Sequence, residues 1–302
     1  MKAYCEAMRL GRWPRSLAIF VGSSAFFFLY RDYFAHYSYL ELLINSALAF
    51  FMTWGISTSN YIINEIADAP YDIYHPTKKD RPMVKGEIKR KPLLFMGILL
   101  VIISMTAGFV LFSKPFFFSL LALLIAGFIY NVKPIRTKDI PFLDSISESA
   151  NNPIRFLIGW YIFAPDSLFP PLSLLLCWWS FGNFLMVAKR LSEFRFLKDK
   201  AGNYRTSMKK YSKTSLILGM VVSAVIFFVT YYIFAFSFKL QSYVYLSPLV
   251  MIFYLLILRK TLREKEVMEE PERLLKFSFF SIYSLLMLAA YIFFSIKDKI
   301  GY

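Results

Sequence analysis

Cysteine is scarce in this chain. Its two cysteines, Cys5 and Cys177, stand too far apart for a metal-binding spacing or a disulfide framework, and no role is assigned to them. No small-residue cleavage site follows the basic start, Met1 to Arg15, which runs directly into an apolar segment; the expectation is a retained first helix rather than a signal peptide. No short-period repeat is visible. No pair of matched, broken hydrophobic halves appears either, which argues against a transporter built from duplicated bundles. Charge is thin, with 18% of residues Asp, Glu, Lys or Arg against 57% hydrophobic and 19% aromatic, and a mean hydropathy of +0.50. A soluble chain of 302 residues is not this apolar. The composition predicts an all-α polytopic membrane bundle forming a single domain over residues 1–302.

Nine apolar segments are expected to cross the bilayer: 15–30, 40–63, 93–112, 116–132, 143–163, 168–188, 214–236, 243–258 and 277–295. Of the 35 lysines and arginines, 29 fall in the N-terminal tail and in the connections after the second, fourth, sixth and eighth segments. Arg155 lies inside the fifth segment, and Arg31, Lys114, Lys239, Lys297 and Lys299 fall on the opposite side. This alternation predicts a cytoplasmic N-terminus and an external C-terminus, and an error of one segment would scramble it. The net charge of +15 invites a nucleic-acid reading. The cations, however, sit in short loops between membrane segments, so no nucleic-acid partner is expected.

The polar residues that interrupt this pattern carry the chemistry. Asn64, Asp68 and Asp72 recur at i, i+4 and i+8, at the end of the apolar run from Leu42 to Ile63. On one helix they would share a face. Carboxylates at the end of a membrane helix are costly unless they meet a cavity, a cation or a partner. Lys78, Lys79, Arg81 and Lys85 follow at once. Mg2+ takes oxygen ligands, keeps several waters, and is held by one or two carboxylates together with substrate phosphates. Asp68 and Asp72 are therefore the expected metal ligands, Asn64 a supporting oxygen, and Lys79 and Arg81 phosphate contacts. The competing reading is a solvated helix end, where Asp–Lys pairs contribute little. Pro70 interrupts the stretch, which would put Asp72 on a turn.

The stretch from Asn64 to Lys85 resembles the first aspartate-rich motif of the UbiA superfamily of intramembrane prenyltransferases, written NDxxDxxxD, with Glu65 in place of the first aspartate. Tyr130 to Lys138 is similar to the family's tyrosine- and lysine-bearing loop after the fourth helix, which implies diphosphate contact and gating, with Lys138 a phosphate ligand. Asp144 and Glu148 follow on one face, either as ligands or, the reading preferred here, as partners of Lys138 or Arg155. Arg155, beside Asn151 and Asn152, is expected to face the interior or to snorkel, serving as a substrate contact or a structural ion pair.

The family's second aspartate-rich motif would fall at Lys189 to Arg195. There Glu193 is the one acid, and Asp199 is six residues further on. A second Mg2+ therefore lacks its usual pair of carboxylates. Glu193 remains a candidate second ligand or acceptor contact, and Lys189 and Arg190 candidate phosphate contacts. His75-Pro76-Thr77-Lys78-Lys79, Arg81-Pro82, Lys189-Arg190 with Glu193, Tyr204-Arg205 and Ser207 resemble the branch of decaprenyl-phosphate phosphoribosyltransferases. Asp144-Ser145-Ile146-Ser147 looks closer to prenyl-transferring branches. The resemblance implies a transferase integral to the cell membrane, dependent on Mg2+, with its active site towards the cytoplasm. It would move a prenyl group from an isoprenyl diphosphate to a lipophilic acceptor. The alternative is transfer from phosphoribosyl diphosphate to a polyprenyl phosphate, and an anion transporter is the alternative of another class.

Overall fold

The computed structural model describes residues 2–74, 78–197, 205–263 and 278–300. They form helices and turns, and no strand is present among them. The helices are α1 (Lys2–Ala7), α2 (Ile19–Leu29), α3 (Tyr39–Asp72), α4 (Arg90–Leu111), α5 (Lys114–Asn131), α6 (Leu143–Ser149), α7 (Asn151–Trp160), α8 (Leu172–Leu197), α9 (Lys213–Ser237), α10 (Gln241–Arg263) and α11 (Ser278–Ile300). Each of the nine expected segments coincides with helix. Six are long and apolar enough to cross a membrane: α3, α4, α5, α8, α9 and α10, counted among the described residues. The other three are built differently. The first joins a 3-10 stretch, Leu10–Ala18, to α2; the fifth is split into α6 and α7; and in α11 the apolar part is Phe279–Phe294.

The residues group into two compact units, one of Met1–Pro170 with Asn203–Thr206, the other of Pro171–Gly202 with Ser207–Tyr302. In the first, α3 packs on α4 and α5, and α2 packs on α7. Small residues permit these contacts, as membrane helices require. At Gly22 a Cβ would lie 2.0 Å from the Phe156 carbonyl oxygen, and at Gly159 one would lie 1.7 Å from that of Ile19. The backbones of α2 and α7 thus touch, and Phe26 and Trp160 close the crossing edge to face at 5.1 Å. We expect Gly159→Leu to destabilise the protein by about 3 kcal/mol or more, since backbone cannot yield as a side chain can. Loss of folded protein after detergent extraction, against an unaffected Gly11→Leu control, checks this; Gly11 has open space around it. In the second unit, Asn183 donates to Ser223 Oγ at 2.9 Å between α8 and α9, and the Tyr254 ring of α10 packs at a tilt against Phe184 and Phe227.

α3 positions the polar residues. Its first turn is fixed by a capping box: Glu41 N–H donates to Ser38 Oγ at 3.3 Å, and the Glu41 carboxylate accepts from Ser38 N–H at 2.8 Å. The helix then runs 34 residues, about 50 Å at 1.5 Å per residue, beyond the ~30 Å of a hydrocarbon core. Its last turns, carrying Asn64 to Asp72, therefore extend past the apolar layer. The expected break at Pro70 does not occur: the helix continues through Pro70 to Asp72. The charge split motivates a topology test. A reporter fused after Arg90 or Lys209 should read cytoplasmic, and one fused after Tyr302 external; a cytoplasmic C-terminus would contradict nine crossings.

Candidate active site

Because α3 is unbroken to Asp72, Asn64, Asp68 and Asp72 do share a face, and each is met by a base. The Lys138 ammonium donates to Asp68 Oδ1, to Asn131 Oδ1 at 2.9 Å and to Asn64 Oδ1 at 3.4 Å. Arg136 donates from Nη2 to the same Asp68 oxygen at 3.1 Å, and from Nη1 to the Ala67 carbonyl at 3.1 Å. Its guanidinium lies 4.5 Å from the centre of the Tyr71 ring, and its Nε is 2.9 Å from Asp139. Arg136 sits in the left-handed region, φ 30° and ψ 65°. That conformation is costly for a side chain with a Cβ, on the order of 1–3 kcal/mol, and persists where surrounding contacts over-determine it. Arg81 donates to Asp72 Oδ2.

Asp68, Tyr71, Asp72, Arg136, Lys138, Asp139 and Arg205 line one cleft. Acid and base nearly balance in it, so an arriving polyanion finds cations already placed. Arg205 hydrogen-bonds Tyr130 Oη at 3.2 Å and lies 3.5 Å from buried Asp144; Tyr130 in turn donates to Glu148 at 2.9 Å. The preferred pairing reading for Asp144 and Glu148 thus meets Arg205 and Tyr130, which sequence spacing did not indicate. Burial pushes the Lys138 ammonium down to about 8, against the opposing pull of Asp68. Burial and the neighbouring Arg9 likewise pull the Arg81 guanidinium below its usual range.

Glu65, which stands at the departure from the motif, is buried. It accepts from Arg9 Nη2 at 2.9 Å and lies 3.8 Å from Arg81. Lys79 is exposed, on the 3-10 turn Lys78–Asp80, and Lys85 pairs with Asp80 at 3.5 Å on the surface. Arg155 reaches Ser57 Oγ of α3 at 3.4 Å. In the second unit, Lys189, Arg190 and Glu193 are on α8, and Arg190, fully buried, pairs with Glu193 at 3.0 Å. His75, Asp199 and Tyr204 lie outside the described residues.

The donor set fits a hard cation. Asp68, Asp72 and Asn64 present only oxygen acceptors at helical spacing. Among the described residues no group of three or more His, Cys, Asp or Glu side chains is placed to hold a metal ion by itself. Asp68 and Asp72 are two carboxylates one turn apart on one face of α3, the number Mg2+ takes when phosphate oxygens and water complete its shell.

Residues 15–294 match the UbiA prenyltransferase family. The decaprenyl-phosphate phosphoribosyltransferase of Mycobacterium tuberculosis is 23% identical over 203 residues, 67% of this chain and 64% of that protein. The chain thus spans a little under two thirds of that relative's length. A UbiA homologue from Archaeoglobus fulgidus, solved with GPP and Mg2+, superposes with a TM-score of 0.69 at 19% identity, covering 98% of this chain and 99% of the other. A digeranylgeranylglyceryl phosphate synthase superposes with a TM-score of 0.66 at 17% identity, covering 98% of each chain. At these identities the likeness to the solved structures establishes the fold.

Proposed function

Because the chain belongs to the UbiA prenyltransferase family, we propose that this integral membrane transferase moves a prenyl group from an isoprenyl diphosphate to a lipophilic acceptor, using Mg2+ at the C-terminal end of α3. One observation carries the reading: two carboxylates one turn apart, Asp68 and Asp72, end a helix of membrane length and are each held by cations. The A. fulgidus homologue, solved with GPP and Mg2+, supports the donor class. The proposal keeps one transferase domain over residues 1–302.

Mg2+ held there would offset charge building on the diphosphate as the allylic carbon–oxygen bond breaks. The chain's own residues do the rest. With Asp68 and Asp72 holding Mg2+, Lys138, Arg136 and Arg81 would be freed from their ion pairs with these carboxylates. These cations turn to the phosphate oxygens, where charge-assisted contacts are strongest. Asn131 and Asn64, already bonded to the Lys138 ammonium, keep it aimed. Arg136 is held on Ala67, Asp139 and Tyr71 and needs little reorganisation. Asn64 supports the metal oxygens, and Lys79 and Arg155 serve as outer substrate contacts.

A second reading is phosphoribosyl transfer to a polyprenyl phosphate. It is favoured by the similarity to the mycobacterial phosphoribosyltransferase and by Glu193, which pairs with Arg190 where prenyltransferases carry acids for a second metal. Product analysis separates the two. Purified protein is given geranylgeranyl diphosphate or phosphoribosyl diphosphate with a polyprenyl phosphate or a lipophilic alcohol, and lipids are read by mass spectrometry. A product heavier by a prenyl unit supports the first reading. A product heavier by phosphoribose, with no prenyl diphosphate consumed, replaces it with the second.

A further inference from the structure

The segment that carries Arg136 and Lys138 to α3 is built inside out. Arg136 and Lys138 are 6% and 4% exposed, whereas Ile135 and Ile140, close beside them in the chain, are 55% and 44% exposed. The short helix α6 continues the pattern. Its Asp144, Ser145 and Ser149 are buried, and Leu143 and Ile146, one turn apart, are exposed. A loop surrounded by water shows the reverse, since burying charge is costly and apolar side chains gain nothing by exposure. Arg136 and Lys138 are buried because they meet Asp68, Asn64 and Asn131 on the inner side. The outer side, with its four aliphatic side chains, calls for an apolar neighbour.

Depth and continuity identify that neighbour. Arg136 and Lys138 are tied to Ala67 and Asp68 of α3. These lie four and five residues past Ile63, where the apolar run ends, about 6–8 Å at 1.5 Å per residue. The polar layer of a bilayer is about 5–8 Å deep on each side, the difference between a ~30 Å hydrocarbon core and ~40–45 Å overall. The segment therefore stands at headgroup level. It also continues a face that lipid already covers. The membrane-length helix α5 exposes Ile125 and Phe128, one turn apart, and the exposed line runs off the helix end into Lys133, Pro134 and Ile135. A lysine beside apolar side chains suits the level of lipid phosphates, its stem in the apolar layer and its ammonium in the polar one.

We propose that residues 133–146 are an interfacial anchor. Ile135, Ile140, Leu143 and Ile146 seat in the headgroup–acyl boundary of the leaflet on the cleft's side, and the bilayer thereby holds Arg136 and Lys138 against α3. The partner is the lipid surface itself, and no lipid is consumed. Ile135 adjoins Arg136 in the chain, and Ile140 follows Lys138 by two residues, so a shift of the anchor is a shift of both cations. Two non-glycine residues of the segment, Arg136 and Phe142, hold positive φ of 30° and 62°. Such backbone persists where its surroundings over-determine it, and a segment held by α3 on one side and lipid on the other meets that condition. The placing of the cations rests on the reading of the cleft as a diphosphate site; the anchor does not.

The test uses the full chain in phosphatidylcholine nanodiscs, with Cys5→Ser so that only buried Cys177 remains of the native cysteines. A nitroxide is attached at Ile135→Cys or Ile140→Cys, and its collisions with oxygen and with a water-soluble nickel chelate are compared. Phe128→Cys on α5 gives the reference for lipid, and exposed Glu87→Cys the reference for water. Both labels should shift towards the oxygen-rich, nickel-poor ratio of Phe128→Cys. A ratio equal to that of Glu87→Cys would place the segment in water, and labels screened from both reagents would mean a covering protein; either overturns the anchor. The placing of the cations is read from binding of inorganic pyrophosphate with Mg2+. Ile135→Gln with Ile140→Gln should weaken it about 10-fold, the size of one charge-assisted contact. Ile135→Leu with Ile140→Leu should keep it, which separates lost anchoring from lost folding. Wild-type affinity in the glutamine pair would overturn the placing role. Lipid-side labels in a protein that releases pyrophosphate from no donor would remove the transferase reading and leave the anchor; water-side labels in an active enzyme would do the reverse.

Discussion

Asp68→Ala and Asp72→Ala should each reduce turnover by on the order of 100-fold or more at saturating Mg2+, because each removes a metal ligand and leaves donor charge unneutralised. The two losses have different side effects. Asp68 accepts from both Lys138 and Arg136, so its removal also leaves two nearly buried cations without their shared carboxylate. Some destabilisation is expected there, and Asp68→Asn, which keeps the shape and the acceptor oxygen, is the folding control. Asp72 holds Arg81, which retains Glu65 at 3.8 Å, so Asp72→Ala should fold more nearly as the wild type does. Activity close to wild type in either alanine variant, with the protein folded and membrane-inserted, would reject this cleft as the active site.

Glu193→Gln should produce the second large effect, on stability first. Its partner Arg190 is fully buried, and removing one member of such a pair costs about 3–5 kcal/mol. Replacing both by leucine should restore much of the stability. Catalysis then separates the donors. In a prenyltransferase, Glu193 carries alone what two acids usually share; Glu193→Gln should weaken Mg2+ dependence, and Lys189→Ala should chiefly weaken diphosphate binding. In a phosphoribosyltransferase, Lys189→Ala or Arg190→Ala should raise KM for phosphoribosyl diphosphate by roughly 10- to 150-fold, the loss of one charge-assisted contact. If all three substitutions change thermal stability alone, with KM, kcat and Mg2+ dependence unmoved in the folded fraction, these α8 residues are structural.

The parts of the fold legible in the sequence are those set by local pattern. Apolar runs marked nine helical segments, and the spacing of Asn64, Asp68 and Asp72 marked the polar face of α3. Arg81 is marked by its charge and position after α3 and Lys138 by the resemblance of its loop to the family's, and the structure brings both onto those carboxylates. Pro70 was read by its local preference to end a helix, and here α3 carries it without a break. What stayed hidden is long-range. Arg9 meets Glu65 across 56 residues, and Arg205 meets Tyr130 across 75. No periodicity encodes such pairs, because they depend on which helices pack together. Arg136 is one more cation of the loop after the fourth segment in the sequence, since its left-handed backbone, which aims it at Asp68, leaves no mark on a non-glycine residue's identity.

The central claim is that the carboxylate cleft cleaves a diphosphate donor. Pyrophosphate release by the purified protein, with and without Mg2+, tests it most directly across prenyl diphosphates of ten to twenty carbons and phosphoribosyl diphosphate, each with a lipophilic acceptor present. The expected result is Mg2+-dependent release with a prenyl diphosphate, lost in Asp68→Ala. Release from none of these donors, with Mg2+ saturating and the protein folded, would contradict an enzyme and leave an anion transporter as the better account.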